Sequence, residues 1–68
     1  MEREPVESSN LLSVGYDENS LTLEIEFKSG IYQYYDVPQH IYEELINSNS
    51  LGSFFHRFIK SEFTCSKV

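Results

Sequence analysis

The sequence predicts an α+β fold: a three-stranded antiparallel meander followed by two helices packed on one face of the sheet. Three observations carry it. Leu21, Leu23, Ile25 and Phe27 alternate with Thr22, Glu24, Glu26 and Lys28, the period-two signature of a strand with one apolar face. A turn at Lys28-Ser29-Gly30 then leads into a second strand-like run, IYQYYDVP, ending at Pro38. Beyond Pro38 the apolar spacing changes to three and four: Ile41, Tyr42, Leu45 and Ile46, then Leu51, Phe54, Phe55, Phe58 and Ile59.

Residues 1–9 are polar, carry mixed charge and contain Pro5, so they read as a flexible lead-in with Val6 pinned to the sheet edge. The first strand puts Leu12, Val14 and Tyr16 on one face and Leu11, Ser13 and Gly15 on the other. Gly15 inside it marks a bulge or a close backbone approach. Asp17-Glu18-Asn19-Ser20 forms the first turn, because Asp, Asn and Ser side chains bond the local backbone. A four-residue loop there pairs Tyr16 with Leu21, Val14 with Leu23 and Leu12 with Ile25, apolar on apolar throughout.

Two registers are open at the second turn. A two-residue loop at Ser29-Gly30 sets Phe27 against Tyr32 and Ile25 against Tyr34, which places both tyrosines on the core face. A three-residue loop pairs Phe27 with Ile31 and turns both tyrosines to the open face beside Glu24 and Glu26. The first is favoured, since the second puts Gln33 in the core. A helix starts near Pro38, whose fixed φ suits a first turn. Asn47-Ser48-Asn49-Ser50 breaks it, Ser50 caps a second helix, and Glu62 and Phe63 close that helix. One domain therefore spans residues 10–63, and residues 64–68 fray.

Sixty-eight residues allow a single thin core, burying about 60% of the unfolded surface. Five Phe and five Tyr compensate, and the expected state is a monomer or a weak homodimer. Eleven acidic against five basic residues give a net charge of −6, which argues against non-specific attraction to phosphate backbones. The one cysteine, Cys65, cannot form an internal disulfide and points to a reducing, cytoplasmic setting. No apolar run approaches the roughly 20 residues of a membrane span.

Two constellations can carry chemistry. Tyr32 and Tyr34 flank Gln33 on one strand face and can stack bases, or else they pack in the core. His56, Arg57 and Lys60 form a basic cluster on the polar side of the second helix, suited to phosphate contacts or to plain solvation. His40 and His56 lack metal-ligand spacing, and neither HxxxH nor CxxC occurs, so no metal or cofactor is expected. No nucleophile elbow or Gly-rich loop is present, and Cys65 lies in the tail. A sheet covered by two helices leaves little room for a concave pocket. The expected class is a binding module, not an enzyme.

Several segments in order add a family resemblance. Ser8-Ser9, Val14-Gly15-Tyr16-Asp17, Phe27-Lys28-Ser29-Gly30, Tyr32-Gln33-Tyr34, Val37-Pro38, Ile41-Tyr42 and Asn49-Ser50-Leu51-Gly52-Ser53-Phe54-Phe55 together resemble the KTSC domain. That domain occurs at the C-terminus of some lysyl-tRNA synthetases and alone in small bacterial and phage proteins. The resemblance runs from Ser8 to Phe63 and implies a module of unknown function, with RNA binding suggested by the synthetase fusion. The alternative is a protein-interaction or assembly role, such as a phage accessory factor, in which the acidic surface or the open sheet face meets a protein partner.

Overall fold

A computed structural model describes residues 1–68. Its sheet has five antiparallel strands in sequence order: β1 (Glu4–Pro5), β2 (Leu11–Asp17), β3 (Thr22–Phe27), β4 (Gly30–Tyr34) and β5 (Cys65–Lys67). Two helices, α1 (Gln39–Asn47) and α2 (Leu51–Phe58), join β4 to β5. The expected α+β class and both helices are present, but the sheet has five strands and not three. The two segments read as loose ends are its edges. β1 pairs with β2, matching Glu4 to Val14, while β5 pairs with β4, matching Tyr32 to Lys67 and Tyr34 to Cys65. Tyr35 and Val68 extend the second seam, their amides donating to Thr64 and Ile31 carbonyls at 3.0 and 2.8 Å. Pairing along both sides satisfies backbone groups that a three-stranded sheet would leave bare.

The meander registers also differ from expectation. The first turn occupies residues 18–21, so Tyr16 faces Leu23 and Val14 faces Ile25. Leu21 leaves the core face: it adopts φ 55° at the end of the turn and lies 40% exposed. A bulge between Leu11 and Ser13 then reverses the alternation. Leu11 is buried opposite Phe27, and Leu12, expected inside, is exposed. At the second turn the two loop residues are Lys28 and Ser29, not Ser29 and Gly30, because Phe27 pairs with Gly30. This shift by a full pair preserves side-chain parity. Tyr32 and Tyr34 therefore stand on the core face, against Ile25 and Leu23.

That face meets the helices around nine buried residues, including Leu23, Ile25, Tyr34, Val37, Leu45, Phe55 and Ile59. α1 begins after Pro38, with its stripe turned inward at Leu45, although Ile46 stays exposed. Tyr42 stacks on Tyr16 at 4.9 Å, fixing the helix over β2. α2 is capped by the Ser50 hydroxyl, which accepts from the Ser53 amide at 3.3 Å. It stops at Phe58, short of the expected close at Glu62 and Phe63. The amides of Ile59 and Lys60 both bond the Phe55 carbonyl there, and the chain turns back to lay β5 along β4.

The other sheet face is polar and is crossed by the N-terminus. A Cβ on Gly15 would strike the Glu2 carbonyl oxygen, so close backbone approach explains this glycine. Arg3 reaches over the sheet to pair with Glu24, and its Nε donates to the Ser13 hydroxyl at 3.0 Å. Gln33 donates to Glu24 at 2.8 Å, and Ser13 donates to Glu26 at 2.9 Å. Glu24 is consequently buried on a face expected to be open, Thr22 is buried on it too, and no buried side-chain polar atom lacks a partner.

Candidate functional site

A groove of about 620 Å³ opens where the β3–β4 turn approaches the end of α2. Little room for a concavity was expected, yet residues of the turn and of the end of α2 enclose one between them. Its apolar wall is aromatic. Phe27 lies 5.2 Å from Phe55 and 5.8 Å from Tyr32, centroid to centroid, in tilted and edge-on contacts. Tyr34 meets Phe55 edge-on at 5.4 Å. Tyr34 is buried, while Tyr32 remains half-buried at the groove wall. Burial pushes the Tyr34 phenol up to about 12, with the neighbouring Cys65 adding to the rise. Tyr34 thus supplies the floor as a neutral ring.

The polar rim comes from three separate segments. Lys28 and Ser29 stand on the β3–β4 turn, His56 and Lys60 flank the end of α2, and Ser9 and Asn10 precede β2. The exposed His56 ring packs edge-on against Phe55 at 5.7 Å. Gly30 matters here. With φ at 143° it lies in a region suited to glycine, and a Cβ would sit 2.7 Å from Lys67 Cε. Lys67 is paired with Tyr32 across the β4–β5 seam, so the two side chains share a face. The third lysine therefore runs along the same sheet face, beside the groove.

Four of the five residues singled out from the sequence come together: Tyr32, Tyr34, His56 and Lys60 all line this groove. Arg57 does not. It lines a smaller depression beside Ser50 and Phe58, its guanidinium 5.3 Å from the Phe58 ring. The tyrosines do not form an open stacking platform, since both face the helices. Sequence reasoning missed Lys28 and Lys67 as site residues. No local pattern links them to α2, and only the five-stranded pairing brings them to one place.

The distribution of charge is the electrostatic feature of the site. None of the eleven carboxylates lines the groove, although the whole chain carries −6. Two of the three lysines, Lys28 and Lys60, line it and the third, Lys67, lies beside Gly30 on the neighbouring strand, whereas both arginines are engaged elsewhere, Arg3 with Glu24 and Arg57 over Phe58. No group of three or more His, Cys, Asp or Glu side chains is assembled for a metal, and no helix is long and apolar enough to cross a membrane. The arrangement suits a ligand with an anionic and an aromatic part.

The family model for the KTSC domain matches residues 7–63. A lysine--tRNA ligase from Nostoc is 45% identical over 58 residues, covering 84% of this chain and 10% of the ligase. The chain thus spans about a tenth of the length of such ligases. An uncharacterized protein from Stutzerimonas stutzeri is 40% identical over 63 residues, covering 91% of this chain and 89% of the relative. The crystal structure of a KTSC domain protein from Yersinia pestis superposes with a TM-score of 0.97 at 43% identity, covering 98% of this chain and 96% of that one.

Proposed function

The chain belongs to the KTSC domain family, and from that premise we propose that it is a non-catalytic module that binds single-stranded RNA in the groove between the β3–β4 turn and α2. The observation that carries the reading is the segregation of charge. Lysines and His56 surround an aromatic-walled groove, and no carboxylate of an acidic protein enters it. Short-range cations can hold phosphates even where the net field is repulsive, because interactions beyond about 8 Å are largely screened at physiological salt. A half-buried Tyr32 and the exposed His56 can meet an unstacked base, as aromatic residues do in single-strand binders. The family has no established function. Its relatives among the lysine--tRNA ligases bear tRNA in their name, which makes RNA the first ligand to try.

Titration of the labelled protein with a short single-stranded RNA at low salt tests this. The expected result is saturable movement of the Ser29, Gly30, Tyr32 and His56 amides, weakened by Lys28→Ala and Lys60→Ala, with Arg57→Ala as the control that leaves it unchanged. If no groove amide moves, the RNA reading is lost. The acidic surface, and with it a basic protein partner recovered in a salt-sensitive complex, then becomes the reading to pursue.

A further inference from the structure

We infer that the groove is a site for one nucleotide carrying a phosphate monoester, not a track along which a strand is threaded. This rests on the reading of the groove as a nucleic-acid site and narrows it. The lysines do not extend beyond the groove and its immediate flank. Lys28 and Lys60 stand on its rim and Lys67 runs beside Tyr32, while the remaining two cations are held against Glu24 and Phe58. A threaded strand needs a cation for successive phosphates along its path, and outside the groove and its flank the one cationic side chain not paired with a carboxylate is Arg57, in a separate depression over Phe58.

Size leads to the same ligand. About 620 Å³ falls in the middle of the range of small-molecule sites, large enough for a base and its sugar phosphate. The floor is closed by Tyr34 and Phe55, both buried, so the ligand cannot pass through. Lysines on two sides of one opening favour a concentrated charge. A monoester carries close to two negative charges at neutral pH, whereas a backbone diester carries one. The hydroxyl of Ser29 and the amide of Asn10 on the rim supply the hydrogen-bonding groups that fix orientation.

Two sources present this chemistry, a free nucleoside monophosphate and the phosphorylated end of an RNA. Calorimetry on the full chain separates them with three probes: adenosine 5′-monophosphate, an RNA pentamer with a 5′-phosphate, and the same pentamer with a 5′-hydroxyl. The phosphorylated pentamer should bind at least roughly tenfold more tightly than its hydroxyl counterpart, the effect of an added charge-assisted contact. Lys28→Ala and Lys60→Ala should each erode that ratio. Adenosine monophosphate binding without either pentamer supports the single-nucleotide site but removes the RNA reading. Equal affinity of the two pentamers overturns the inference and leaves RNA binding standing. Absence of binding by all three probes overturns both.

Discussion

Tyr34 and Tyr32 are two residues apart on β4 and face the same helix, yet they carry different loads. Tyr34 is 5% exposed, edge-on to Phe55 and opposite Leu23. Removing its ring leaves a cavity between sheet and helix. Tyr34→Ala should therefore lose about 3 kcal/mol or more, by the measure of other aromatic truncations in cores. That is a large share of the stability of a domain this small. Tyr32 has one flank on the groove, and Tyr32→Ala should lose roughly 1 to 2 kcal/mol. Chemical denaturation of the two variants checks the order. A loss under about 1 kcal/mol at Tyr34 would mean that its ring is not a core element. The parity of these tyrosines was legible because Gln33 between them is a poor core residue. The precise loop was not, since Lys28-Ser29 and Ser29-Gly30 give the same parity.

The N-terminal segment is the element whose role was hardest to read. Glu4-Pro5 offers no apolar alternation and Pro5 has no amide to donate, while Cys65-Ser66-Lys67 is polar and exposed throughout. Such edge strands are defined by the partners they bond, so local pattern does not announce them. The bulge that exchanges Leu11 for Leu12 is hidden for another reason: both residues are leucine, so either can fill the core position. By contrast, the β3 alternation and the Ser50 cap declare themselves, because burial and capping each demand particular residue types. At the site, His56 and Lys60 were legible from helical spacing, and the lysines from β-segments were not.

The crossing of the sheet by the N-terminal segment, with Arg3 on Glu24, has a pH signature. A hydrogen bond from Gln33, joined by the bond and charge of Arg3, holds the Glu24 carboxyl below its ordinary range against the upward push of burial. A depressed folded-state value stabilises the fold above the ordinary glutamate value of about 4.3, and that stabilisation is lost as pH falls through the lower folded value. Arg3→Ala should cost about 1 to 2 kcal/mol at pH 7. The gap from wild type should narrow as the solution is acidified past that window. Urea midpoints of both proteins across the acid range measure it. A gap that stays constant with pH would mean that Arg3 acts through packing over Gly15 and not through its charge.

For the molecule as a whole, the net charge and the groove pull in opposite directions. A charge of −6 repels a polyanion at long range, and added salt relieves that repulsion. The lysines around the groove attract phosphates at short range, and added salt weakens that attraction by restoring condensed counterions. Even with every lysine on a phosphate of its own, three contacts would give a slope of only about −2 in log affinity against log salt, taking roughly 0.7 for each phosphate neutralised. Relief of the long-range repulsion can only make the observed slope shallower. Binding of the phosphorylated pentamer across a salt series should therefore fall with a slope no steeper than about −2. Lys60→Ala should flatten it by about 0.7. A slope near −4 would require more phosphate contacts than the basic residues around this groove can make. The RNA would then lie across a different surface, and the groove would have to be assigned another ligand.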